Sequence, residues 1–152
     1  MDTCAGLRAA HVEDAMHELS PLGFRPFFEQ QLPSSERAAC IPARVAAEHR
    51  GTYEVWSRAG VGPAQLAGRL RLAPEANTLP GVGDWVLLRE EPGPDHTAVI
   101  ERVLERRTVF TRGAAGGPAR VQVVAANVDR VYAVCGLDGD FNVRRLERYL
   151  MV

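Results

Sequence analysis

The chain has 152 residues, a length that fits one domain or a small domain plus a fragment of a second. Hydrophobic residues make up 46% and charged residues 24%, which is ordinary for a globular protein and excludes a disordered or fibrous one. The apolar runs are too short to span a bilayer, and the N-terminus lacks the basic and apolar regions of a signal peptide. We therefore expect a soluble cytoplasmic protein with no membrane partner.

Charge is distributed unevenly along the chain, although the net charge is only −1. Residues 39–71 carry five Arg against two Glu, and residues 101–130 carry six Arg against three acids, so each zone has a charge of +3. Residues 1–38 and 72–100 are acidic instead. All 18 basic residues are Arg, whose planar guanidinium suits phosphate and base stacking. The two basic zones are compatible with a surface that contacts RNA.

The N-terminal region is predicted to be helical over residues 11–32, because apolar residues recur there at helical spacing. Pro26 is predicted to begin a second short turn, since Pro is favoured at the first helical position. This region carries three aromatic residues that we expect to pin it onto a neighbouring core, rather than to form a binding platform: Phe24, Phe27 and Phe28.

Residues 41–104 contain five strand-like runs separated by breaks rich in Gly, Pro and Asn. In the second run, Tyr53 and Val55 fall on one face and Trp56 on the other. The run "AQLAGRLRL" (64–72) alternates strictly and predicts a third strand. Five short strands in this length predict a mainly β fold with an OB-type barrel, and a small SH3-like barrel is the nearest alternative.

The C-terminal region begins with a Gly/Ala-rich linker predicted at residues 113–120, after which an apolar, strand-like run resumes at residue 121. Residues 128–152 predict a buried strand, a turn and an amphipathic helix capped by Asn142. A strand followed by a helix is half of a parallel α/β unit, and such a strand needs neighbouring strands.

The candidate motifs for catalysis, cofactor binding and metal binding each lack a required residue or the required spacing. Gly81 and Gly83 precede a strand and predict a turn rather than a dinucleotide loop. The loop "GAAGG" (113–117) lacks the Lys of a P-loop, and "DGDFN" (138–142) lacks the final Glu of a calcium loop. The three Cys and four His are scattered without ligand spacing, which argues against a disulfide framework and a zinc site. We predict no catalytic, cofactor-binding or metal-binding residue in this chain.

The candidate RNA-binding residues come from the two basic zones. On an OB barrel, the face of the second and third strands and the adjacent loops bind nucleic acid. We expect Arg69 and Arg71 on the third strand. An ordinary solvated surface explains scattered Arg equally well. The candidates are Arg44, His49, Arg50, Arg58, Arg69, Arg71, Arg107 and Arg112.

Four segments carry a resemblance to a known family: "LPGVGDWV" (79–86), "RRTVFTRGAAG" (106–116), "VVAANVDRVYAV" (123–134) and "DFNVRRLERYL" (140–150). In this order and spacing they resemble the ribosome small-subunit-dependent GTPase A (RsgA/YjeQ) family. The resemblance implies an N-terminal OB domain, then a circularly permuted GTPase domain, then a small zinc-binding domain. It also implies a role in late maturation of the small ribosomal subunit, with ribosomal RNA as partner.

The resemblance divides the chain into an N-terminal helical segment (1–38), an RNA-binding OB domain (39–112), a linker (113–120) and the first strand–helix unit of the GTPase domain (121–152). Because the sequence contains no Lys, neither the Asn-Lys-x-Asp motif nor a P-loop is present. GTP, Mg²⁺ and a structural Zn²⁺ are therefore implied only for a full-length family member, so whether the chain is an enzyme stays open. We expect a monomer that corresponds to a little under half of such a protein.

A stand-alone, non-enzymatic nucleic-acid-binding module is the alternative interpretation of the same residues. In that case residues 121–152 pair with the barrel or dimerise. An intact GTPase within this chain is a third possibility, for which we expect no nucleotide binding.

Overall fold

The computed structural model describes residues 18–32, 40–72, 79–113, 121–136 and 142–150. Predictions for residues 11–17, for residues 114–120 of the linker and for most of the "DGDFN" segment lie outside these ranges. In the described parts of the chain, no helix is long and apolar enough to cross a membrane.

The described ranges are mainly β. The strands are β1 (Ile41–His49), β2 (Thr52–Ser57), β3 (Gly60–Leu66), β4 (Trp85–Leu88), β5 (Ala98–Val103), β6 (Val109–Gly113) and β7 (Val121–Ala126). A single 3₁₀ turn spans Ser20–Leu22, and the helices are α1 (Pro26–Glu29), α2 (Gly68–Leu72) and α3 (Val143–Leu150).

The first five strands form a closed barrel in the order β1-β2-β3-β5-β4. Neighbouring strands are antiparallel except β3 and β5, which are parallel. Closure removes free edges that would otherwise leave backbone groups unpaired. The five-stranded barrel predicted from the sequence is therefore confirmed. Strands β6 and β7 form a separate antiparallel pair and lie before and after residues 114–120 of the predicted linker. The predicted domain boundaries stay a prediction.

The barrel core is filled from alternate positions of its strands. Along β2, Tyr53 and Val55 are buried whereas Trp56 is exposed, which confirms the predicted faces. The cluster inside the barrel combines Ala43, Val45, Tyr53, Val55, Ala64, Val86, Leu88, Ala98 and Ile100.

A second core lies between the N-terminal segment and the outside of β4. The ring of Phe24 meets Trp85 edge-on at 4.7 Å between centroids, and Phe28 lies 5.9 Å from the same indole. Leu19 and Leu32 complete the contact. Burying each of these side chains contributes about 1.5–3 kcal/mol. The predicted pinning of this segment is confirmed for Phe24 and Phe28, whereas for Phe27 it is wrong, because that side chain is 38% exposed.

The predicted third strand is wrong at both ends. Strand β3 begins at Gly60, inside a stretch predicted as a turn, and residues 68–72 form helix α2. Gly62 allows β3 to pass close to Pro92, because a Cβ at this position would lie 2.7 Å from the Cβ of Pro92. Strand pairing with β2 ends at Gln65, so the chain turns into a helix whose Leu70 packs against the barrel core. Arg69 and Arg71 therefore lie on a helix, not on a strand.

The predicted strand near the C-terminus is also absent. Residues 128–136 form no strand, and the side chains of Tyr132 and Val134 are largely exposed. An extended segment needs a neighbouring strand to satisfy its backbone, and the described residues offer none here. The predicted helix is present as α3, directly after Asn142, whose carbonyl accepts hydrogen bonds from the N–H groups of Arg145 and Leu146.

Candidate nucleic-acid interface

A buried ion pair joins the residue before β4 to the segment that connects β5 with β6. Asp84, fully buried directly before β4, accepts hydrogen bonds from Arg106 Nε at 2.8 Å and Nη2 at 2.7 Å. The backbone N–H of Gly81 donates to the same carboxylate at 2.7 Å. Such two-pronged, charge-assisted contacts are among the strongest hydrogen bonds in proteins.

Asn127 closes the same junction from the end of β7. Its side chain donates to the carbonyl of Gly83 at 3.1 Å and accepts the backbone N–H of Arg107 at 2.8 Å. Its φ of 55° is left-handed, a conformation that Asn tolerates better than most residues. The contacts of Asp84, Arg106 and Asn127 are called the junction below.

Two of the predicted RNA-binding residues belong to this junction rather than to a free surface. Arg44, half-buried on β1, donates to the carbonyls of Leu22 and Asn127. Burial lowers the pKa of its guanidinium, and the carboxylate of Asp129 partly opposes that change. Arg107 pairs with the same Asp129. Their guanidinium groups already have protein partners, so both residues mainly hold elements together.

A second group of cations lies at one end of the barrel. Thr52 at the start of β2 pairs with Gln65 near the end of β3, so the β1–β2 turn and helix α2 lie at the same end. Arg50 occupies that turn with a left-handed φ of 52°, and its side chain is exposed. We define the basic end as Arg50, Arg69, Arg71 and Arg89.

The members of the basic end differ in their contacts. In the described part of the chain, Arg50 and Arg71 are exposed and make no ion pair or side-chain hydrogen bond. Arg69 and Arg89 are also exposed, and both pair with the carboxylate of Glu101 on β5. Arg69 and Arg89 thus share one carboxylate, and Glu48, beside Arg50, accepts the backbone N–H of Gly51. Four Arg against these two carboxylates leave the basic end with a net positive charge.

The remaining predicted residues do not join this group into one surface. His49 is exposed next to Arg50 and extends the basic end. Arg58 lies in the β2–β3 turn at the opposite end of that hairpin, where its Nε bonds Glu91 at 2.9 Å. Arg112 lies on β6 and donates to Gln122 of β7. The structure thus brings together four of the eight predicted residues: His49, Arg50, Arg69 and Arg71.

Sequence reasoning missed Arg89 and Glu101 as parts of this surface. Arg89 is the only Arg in residues 72–100, which carry a net charge of −4. The search for basic zones therefore passed over it. Strand pairing between β4 and β5 brings it to Glu101, and no local pattern reveals that contact. Trp56, 41% exposed and opposite Val61 on β3, is a further exposed aromatic on the barrel face. The alternation of β2 already predicted that Trp56 lies on the face opposite Tyr53 and Val55.

Among the described residues, no group of three His, Cys, Asp or Glu side chains could hold a metal ion. The sequence contains no Lys, which a P-loop requires to reach the β- and γ-phosphates. What the described surface can do chemically is bind anions through exposed guanidinium groups.

Comparison with curated proteins identifies close relatives. The chain is 44% identical over 143 residues to the small ribosomal subunit biogenesis GTPase RsgA of Opitutus terrae, a match that covers 88% of this chain and 39% of the relative. It is 42% identical over 134 residues to RsgA 2 of Vibrio parahaemolyticus, covering 87% of this chain and 33% of the relative. Over its matched residues, the chain belongs to the RsgA family. It spans between a third and two-fifths of the length of these two proteins.

Other comparisons add less. No family model matches the chain. Among solved structures, YjeQ from Thermotoga maritima is 26% identical, with a TM-score of 0.49 over 73% of this chain and 36% of that one. YloQ, described as a circularly permuted GTPase, is 20% identical with a TM-score of 0.46 over 73% of this chain and 35% of that one. The RsgA assignment therefore rests on the sequence matches, which agree with the segments that carry the resemblance.

Proposed function

We propose that this chain docks on the RNA of the small ribosomal subunit through the basic end of its barrel, as part of an RsgA-type biogenesis GTPase. The observation that carries the proposal is the exposed pair Arg50 and Arg71, which make no ion pair or side-chain hydrogen bond among the described residues. Unpaired guanidinium groups at one end of a five-stranded barrel suit phosphate oxygens and 2′-hydroxyl groups. The names of the relatives point to the small subunit as the target.

This surface favours recognition of the RNA backbone over recognition of sequence. Guanidinium contacts to phosphate carry no base information, and their strength depends on salt through counterion release. We expect Arg58, Arg112 and the junction residues Arg44 and Arg107 to contribute less, because each already has a partner in the protein. The GTP hydrolysis named in the relatives requires a P-loop, and we assign it to no residue of this chain.

The test is a salt titration of binding to purified bacterial small subunits and to a labelled RNA hairpin. We expect the double variant R50A/R71A to weaken binding and to make the slope of log K against log salt shallower by about 2, since each lost phosphate contact removes about 0.9. The matched control is R144A/R145A, which removes two exposed Arg from α3.

A slope for R50A/R71A equal to that of the unmodified chain would overturn the assignment of RNA binding to the basic end. So would an equal loss of affinity in R144A/R145A, because the effect would then reflect net charge rather than this surface. Thermal melts of both variants establish that the chains are folded.

A further inference from the structure

Two Arg side chains from different elements converge on the carboxylate of Glu101. Arg69 of α2 reaches Oε2 at 2.8 Å and also donates to the Glu101 carbonyl at 2.7 Å. Arg89, which follows β4, bonds Oε1. The Arg side chains are 66% and 63% exposed, whereas that of Glu101 is only 16% exposed. The two Arg side chains thus shield the carboxylate of Glu101, with which both form ion pairs, from solvent.

The charges in this triad do not balance. One carboxylate faces two guanidinium groups, so the triad keeps a charge of about +1, and Arg71 adds another on the same short helix. Each guanidinium carries five N–H donors in a planar fork, and one or two contacts use only part of that capacity. The outward N–H groups of Arg69 and Arg89 remain open to solvent, as the exposure of both side chains indicates.

A phosphate group resembles the carboxylate of Glu101, because in both a negative charge is shared between two oxygen atoms. Arg forks bind carboxylate and phosphate with the same paired geometry. The position between Arg69 and Arg89 is therefore already shaped for an oxyanion, and Glu101 is the group that fills it from the protein side.

We propose that Arg69 and Arg89 form a pincer for one phosphate of a bound RNA, and that Glu101 competes with that phosphate. The inference rests on the proposed RNA-binding function and assigns two residues of the basic end, Arg69 and Arg89, to a single phosphate. When RNA arrives, its phosphate shares or replaces the carboxylate as the partner of the two guanidinium groups. Glu101 thereby weakens binding to RNA while it keeps the two Arg side chains near each other in the free protein.

The main test measures binding of the full chain to a labelled RNA hairpin across a salt series. We expect E101Q to bind about twofold to fivefold more tightly, because Glu101 then no longer competes through its ion pairs with two largely exposed Arg side chains, and such surface pairs are weak. The slope of log K against log salt should steepen by about 1. R89A should weaken binding and make the slope shallower by about 1. R89A keeps the pincer testable even if E101Q fails to fold in thermal melts.

Two further variants separate the pincer from a general change of charge. E54Q removes one exposed carboxylate from the outer face of β2 and should leave affinity within about twofold, because Glu54 has no Arg partner among the described residues. In the background R69A/R89A, the substitution E101Q should have no effect, because the carboxylate then has no guanidinium to occupy.

The outcomes distinguish the two proposals. If R50A/R71A weakens binding but E101Q does not tighten it, or E54Q tightens it equally, the pincer is wrong and RNA docking stands. An E101Q gain that persists without both Arg would also refute the pincer. If R50A/R71A, R89A and E101Q all bind like the unmodified chain, RNA docking at the basic end is wrong and the pincer falls with it.

Discussion

Replacing Asp84 tests whether the junction holds the β6–β7 sheet to the barrel. In D84N the carboxylate charge is lost, while an amide of the same shape remains to accept from Gly81 N–H. The Arg106 side chain, of which only 14% is exposed, would then lose the carboxylate that it contacts through Nε and Nη2. Removing one partner of a buried ion pair costs about 3–5 kcal/mol. That is a large share of the about 5–15 kcal/mol that stabilises a typical domain.

Urea unfolding followed by Trp fluorescence measures this loss. Trp85 adjoins Asp84 in the chain and is fully buried between Phe24 and Phe28, so its emission reports the unfolding of this region. With a slope of about 1–3 kcal/mol per molar urea, the midpoint should fall by at least about 1 M. The control D95N changes an exposed loop residue and should cost less than about 0.5 kcal/mol.

The double variant D84N/R106Q completes the cycle. Because it removes both charges together, it should be less destabilised than the sum of D84N and R106Q by at least about 1 kcal/mol. Additive losses, or a loss in D84N below about 1 kcal/mol, would refute the view that this pair holds the junction.

Three further outcomes follow from the same structure. G83A should lower the free energy of unfolding by about 2 kcal/mol or more in urea titrations, because its Cβ would lie 2.1 Å from the Ala126 carbonyl oxygen and its φ of 89° is left-handed; wild-type stability would contradict this. Burial, and secondarily Glu48, raises the pKa of Tyr53, so its contribution to stability is present below its unfolded pKa of about 10 and is lost as pH rises through the folded value. Y53F should flatten that alkaline loss in urea titrations between pH 8 and about 11, and an unchanged loss would exclude Tyr53 as the cause. The amides of residues 131–135 should be among the fastest to exchange hydrogen, and slow exchange in a monomer would show an unseen partner strand.

The barrel was predictable because its strands carry a local signal. Alternation in β2 identified the buried face of Tyr53 and Val55, and Gly/Pro-rich breaks located most of the turns. Alternation failed at residues 64–72, because Leu66 and Leu70 are four residues apart. That spacing satisfies a strand and a helix equally. Only the pairing of β3 with β2 and β5, which ends near Leu66, decides that the next residues form a helix.

The candidate interface was only partly predictable for a related reason. Charge counts along the sequence identify zones, but strand pairing determines which cations meet. Arg44 and Arg107 fell in basic zones and proved to have partners inside the junction. Arg89 fell in an acidic zone and proved to belong to the basic end. Contacts between residues distant in sequence, such as Arg89 with Glu101, leave no local pattern to read.

Three of the four segments that carry the family resemblance meet at the junction, and none contributes to the basic end. Gly81, Gly83 and Asp84 belong to "LPGVGDWV", Arg106 to "RRTVFTRGAAG" and Asn127 to "VVAANVDRVYAV". Their roles in the structure are close backbone approach, a buried ion pair and a left-handed turn. Recognition of the family therefore rests in large part on residues that dock the β6–β7 sheet on the barrel. The surface that we propose for RNA uses residues outside these segments. Substitutions at the junction and at the basic end should therefore have different effects. Junction variants should lower stability, whereas basic-end variants should lower affinity for RNA at unchanged stability.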